Sequence, residues 1–144
     1  MTLQSLLYKI SEIGIKQKVI QYAAAGADVY AALNDTTIKD YPILFASPTG
    51  NHTVAENVTR YSITLYYFDR LLSDNSNDVN VMSTAIEQLK NMVKWIKTIE
   101  GVVDVSEEYE IRHFSDTESF NDAVGGAWAT IQIDTLNAYI CPEE

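Results

Sequence analysis

The chain has 144 residues, 47% hydrophobic and 21% charged, which suits one folded domain with a buried core and argues against wholesale disorder. Its formal net charge of −10 disfavours a nucleic-acid-binding surface, which needs a basic footprint, and equally disfavours adhesion to an anionic membrane. Such acidity favours solubility, a basic partner, or a surface that repels DNA. The single cysteine, Cys141, excludes an internal disulfide and a metal cluster built from thiols.

No apolar run approaches the length of a membrane span, so no membrane partner is expected. The opening MTLQSLLYKISEIG lacks a basic n-region, a continuous apolar h-region and a small-residue cleavage site, so it does not read as a secretory signal. The N-x-T triplets at Asn34, Asn51 and Asn57 are then chance matches.

In chain order, Leu3, Leu6, Leu7, Ile10 and Ile13 predict a short amphipathic helix ending near Gly14. Ile15–Ala25 is ambiguous: Val19, Ile20 and Tyr22 sit in alternating company, while Ala23–Ala25 suits a helix. Asp28 is placed to cap a short helix Val29–Leu33. Tyr41–Ala46 predicts a strand with Pro42 at its start, where a missing donor does least harm. Ser47–Ala55, with Pro48, Gly50 and Asn51, reads as a turn or a flexible hairpin arm.

The stretch Asn57–Gly101 organises the rest. Tyr61, Ile63, Leu65 and Tyr67 alternate with Ser62, Thr64, Tyr66 and Phe68, the pattern of a half-buried strand. The polar Asp69–Asp78 run predicts a loop. Met82, Ala85, Ile86, Leu89, Met92, Val93 and Ile96 then mark one helix face, with Asp78 as a cap, Thr84 and Glu87 as an inner capping box, and Gly101 as the stop. Val102–Phe114 predicts a strand with one wet face. Ser115–Gly126 is a polar connection, and Ala127–Ile140 alternates as a last strand. The expectation is one α+β domain over residues 1–144. It has about four strands in an antiparallel or mixed sheet, packed by a long amphipathic helix, plus an N-terminal helix.

Catalytic chemistry finds little to stand on. His113 lies near Asp116, Glu118 and Asp122, so a small enzyme built there is one reading, but a zinc site wants three or four ligands at local spacing. The loop Asp74–Asn80 places oxygen ligands at alternate positions as a calcium loop does, yet Val79 replaces the turn glycine and Ala85 the bidentate glutamate. No P-loop, G-x-G-x-x-G or G-x-S-x-G occurs. Gly125-Gly126 reads as a bulge or tight turn. Cys141 lacks the basic neighbours of a nucleophile. No catalytic, cofactor-binding or metal residue is assigned, and the chain is read as an assembly protein rather than an enzyme.

Three stretches carry a resemblance. The first is Gly26-Ala27-Asp28-Val29-Tyr30 through Leu33-Asn34 to Tyr41-Pro42-Ile43-Leu44. The second is Tyr61–Leu71, ending Phe68-Asp69-Arg70-Leu71, with the Asn/Asp loop and the helix containing Ser83. The third is Phe120–Gly126 before a last strand ending in Cys141. Together they resemble tail-terminator or neck-ring proteins of tailed bacteriophages, especially phages of Bacteroides-like hosts. The resemblance implies a virion subunit that forms a homo-oligomeric ring at the head–tail junction and is assembled in the host cytoplasm. Its neighbours would be neck, portal-connector or tail-tube proteins, with genome DNA passing through unbound. It implies that the Ser47–Ala55 arm and the Asp69–Asn80 loop reach a neighbour, that carboxylates line the lumen, and that Asp69 and Arg70 form a structural ion pair. An acidic DNA mimic that binds a basic partner is the other interaction reading.

Overall fold

Thr2 caps the first helix: its hydroxyl accepts the Ser5 amide N–H at 3.1 Å, satisfying one of the orphan donors at a helix start. The computed structural model describes residues 1–17, 20, 22–27, 41–71, 76–116 and 124–137. Its elements are α1 (Leu3–Lys16), β1 (Tyr22–Ala25), β2 (Ile43–Val54), β3 (Val58–Arg70), α2 (Asp78–Ile96), β4 (Val102–Val105), β5 (Ile111–Asp116) and β6 (Val124–Leu136). The six strands make one curled half-barrel sheet. β1 runs parallel to β2; β2–β3, β3–β6, β6–β4 and β6–β5 are antiparallel.

This overturns the expected four-stranded sheet packed by a long helix. Strand makes up 47% of the described residues: two stretches not read as strand are strands, and one predicted strand is two. Tyr22–Ala25 pairs with Ile43–Ala46 despite its alanines. The Ser47–Ala55 arm is no loose turn: β2 continues to Val54, and a register shift between Pro48 and His52 absorbs the turn-forming residues. The Val102–Phe114 strand is two strands that share β6 as their partner.

Other boundaries move for local reasons. α1 passes through Gly14 to Lys16, and Gly14 serves close packing rather than a stop, since a Cβ there would overlap the Leu44 side chain beneath it. α2 starts at Asp78 with Asn77 at the N-cap, and Asn77 donates its side-chain amide to the Arg70 carbonyl at 3.2 Å. It ends at Ile96, ahead of Gly101, whose φ of +95° serves the turn into β4. Gly125 and Gly126 lie inside β6, in regular register with β3, rather than in a bulge or turn. The expected helix at Val29–Leu33 and the end of the last strand lie outside the described residues.

Both helices pack on one face. Leu6 and Ile10 of α1 and Ala85, Leu89, Met92, Val93 and Ile96 of α2 join Leu44, Ile63, Leu65, Tyr67, Ala129, Ile131 and Ile133 in one core. Tyr67 is fully buried there, and its hydroxyl has no hydrogen-bond partner among the described residues. Leaving such a group unsatisfied costs about 1–3 kcal/mol. Tyr67→Phe is therefore expected to raise the thermal midpoint; a clear drop would mean that the hydroxyl has a partner in solution.

The opposite face carries an aromatic cluster. Phe68 and Phe114 both oppose Gly126 from its two flanking strands, and their rings meet edge-to-face at 5.0 Å. The glycine leaves the space that the two rings close. One row along, Tyr66 lies 6.4 Å from Phe45 and 6.5 Å from Trp128, with Arg112 over the Trp128 ring at 5.7 Å. Further along, this face turns polar: the Thr64 and Thr130 hydroxyls bond at 2.8 Å, and Arg60 grips Asp134 at 2.7 and 3.2 Å.

Candidate interaction surfaces

Pairing between β1 and β2 stops at Ala46, whose carbonyl accepts the Gly26 N–H at 3.1 Å. By strand alternation the next residue facing that side is Pro48, which has no N–H to continue the ladder. Beyond it, residues Gly50 to Val54 are all exposed, and among the described residues His52, Thr53 and Val54 pair with β3 alone. The β2–β3 connection is a tight turn at Glu56–Asn57, closed by the Ala55 N–H donating to the Val58 carbonyl at 2.9 Å.

Asn137 holds this tip. Its side-chain amide donates to the carbonyls of Ala55 (2.9 Å) and Glu56 (3.1 Å), and its backbone N–H donates to the Asn57 carbonyl (2.9 Å). A turn bound at three carbonyls is ordered before any partner arrives, so ordering it at an interface costs little. The tip presents Val54, 76% exposed, beside the exposed Glu56.

At the other side of the sheet, α2 and the β4–β5 connection enclose an open cleft of about 860 Å³. Lys90, Lys94 and Lys97 line its helical wall, at the spacing that puts them on one stripe. Glu107, Glu108 and Glu110 line the opposite wall, with Val93, Tyr109 and Ile111 between. Lys90 pairs with Glu87 on its own helix at 2.9 Å, and Glu110 lies 3.5 Å from Arg112. Among the described residues Lys94, Lys97, Glu107 and Glu108 make no ion pair.

His113 is exposed on β5, the strand that also carries Asp116; Glu118, Asp122 and Cys141 lie outside the described residues. Among the described residues no group of three His, Cys, Asp or Glu side chains is placed to hold a metal ion. The calcium-like run is interrupted because Asp78, Val79 and Asn80 form the first turn of α2 rather than a loop. No helix among the described residues is long and apolar enough to cross a membrane.

Asp69 and Arg70 are successive residues of β3, which alternation sends to opposite faces. Asp69 Oδ1 accepts the Arg70 backbone N–H at 2.8 Å, while the Arg70 guanidinium lies over the Tyr41 ring at 5.1 Å. Burial pushes the Asp69 carboxyl above its ordinary range, against the smaller opposing effects of the Arg70 N–H and charge. A carboxyl shifted upward favours folding while protonated, so that contribution is complete below the ordinary Asp range and is lost as pH rises through the folded value. Asp69→Asn, neutral throughout and still able to accept from Arg70, should therefore melt above the parent at pH 7. The difference should close as pH falls below 4; a gap that widens in acid would contradict this account.

Sequence reading named the arm but missed the groups that give it form. Asn137 gave no signal, because its partners are about 80 residues away. The lysine spacing was visible on the helix; the acidic wall facing it was not. No known protein-family model matches this chain, and no curated protein matches it significantly.

Proposed function

We propose that this chain is a structural virion protein that assembles with itself into a ring at the head–tail junction or tail-tube end of a tailed bacteriophage. In this reading it acts as a tail terminator or neck ring. It joins the tail to the connector, contacts neck, portal-connector or tail-tube neighbours, and lets genome DNA pass without specific binding. The resemblance in Gly26–Leu44, Tyr61–Leu71 and Phe120–Gly126 supports it.

The observation that carries the proposal is the pairing of an ordered, exposed hairpin tip at one side of the sheet with an open charged cleft at the other. A closed ring needs a heterologous interface, in which one patch of each subunit meets a different patch of the next. Two dissimilar surfaces on separate strands meet that requirement. An acidic chain also suits a channel that repels DNA phosphates rather than gripping them. Sedimentation velocity over a wide concentration range tests the reading: discrete oligomers are expected, and a species that remains monomeric at every concentration overturns it.

A further inference from the structure

The cleft between α2 and the β4–β5 connection states what its occupant must be. Three of the chain's ten lysines and arginines stand on its helical wall, and two of them, Lys94 and Lys97, are without a carboxylate among the described residues. The occupant needs a negative charge for that wall. It needs an apolar group for the half-buried Tyr109 and Ile111, and no carboxylate towards Glu107 and Glu108. An unpaired acid against that second wall would be repelled.

The hairpin tip answers each requirement. Glu56 is the single carboxylate in residues 43–68, and it stands at the exposed turn. Val54 beside it is 76% exposed, a large apolar side chain left uncovered. The flanking Asn51 and Thr53 are exposed and neutral, so they set no like charge against Glu107 and Glu108. Asn137 already holds the turn in shape.

We propose that the Glu56 tip of one copy docks in the Lys94–Lys97 cleft of the next copy, forming the repeating contact of the assembly. This rests on the ring reading above and names its interface. Glu56 reaches Lys94 and Lys97, while Val54 settles on Tyr109 and Ile111. Tip and cleft lie on different strands, so the contact is head-to-tail and an open oligomer keeps one free tip and one free cleft, at its two ends, until the ring closes.

The test is charge exchange in the full chain, read by sedimentation velocity. Lys94→Glu with Lys97→Glu should weaken self-association at least about tenfold, and Glu56→Lys added to that pair should restore it. Lys94→Gln with Lys97→Gln, which keeps good helix formers on α2, should weaken association less, and this holds the test open should the reversed pair fail to fold. Unchanged oligomers in both lysine variants overturn the docking and leave the ring reading standing. A parent chain that is monomeric at every concentration overturns both.

Discussion

Gly126→Ala is expected to lower the melting midpoint by at least about 10 °C, or to prevent folding. A Cβ at this position would overlap the carbonyl oxygen of Tyr67 on β3, and it would crowd the Phe68 Cα at 3.2 Å. Ordinary overpacking costs about 1–3 kcal/mol because neighbouring side chains yield. Here the obstacle is backbone, two pairs in from the end of the longest ladder in the sheet, Val58–Arg70 against Val124–Leu136. Relief would require β3 and β6 to part where Phe68 and Phe114 close over the glycine. A cost above about 3 kcal/mol follows, at roughly 3 °C per kcal/mol for a chain of this size. Gly50→Ala is the control: its Cβ would meet nothing within 4 Å, so its effect should stay within about 0.5 kcal/mol. Equal melting of the two variants would contradict this packing.

Leu89→Ala should destabilise by about 2–5 kcal/mol, the range for a leucine deleted from a fixed core. Leu89 is fully buried midway along α2, within the cluster that includes Ile63, Leu65, Ile131 and Ile133. The strands beneath are held by ladders on both sides and have little freedom to close a cavity, which places the expectation in the upper half of that range. Val79→Ala on the same helix, where the side chain is 74% exposed, should be neutral or slightly stabilising because alanine is the better helix former. Both are read by chemical denaturation. If Leu89→Ala costs less than about 1 kcal/mol, α2 is not docked on the sheet as described.

Where a signal was local and periodic, sequence carried it into structure. Ile63, Leu65 and Tyr67 alternate and are fully buried; Ala85, Leu89, Met92, Val93 and Ile96 recur at helical spacing and form the buried stripe of α2. What failed was non-local. Tyr22–Ala25 is a strand only because Ile43–Ala46 lies beside it, and alanine carries weak strand preference. Pro48, Gly50 and Asn51 are turn residues by chemistry, and a register shift keeps them in β2 because β3 supplies the ladder. Tyr109 and its acidic neighbours mimic a continuing strand, whereas β6 accepts β4 and β5 as two separate partners. The interaction surfaces were legible only in halves. The arm is named in the sequence; the Lys90, Lys94 and Lys97 spacing is a signal left unused there; and the Asn137 clamp and the glutamate wall depend on folding to bring distant residues together.

Native mass spectrometry with negative-stain imaging of the concentrated chain is the decisive test of assembly into a ring. One closed oligomer of fixed copy number is expected, seen as a ring with a central hole, which loses closure when Lys94 and Lys97 are reversed. A strictly monomeric protein at every concentration, or open chains of unlimited length, would contradict it.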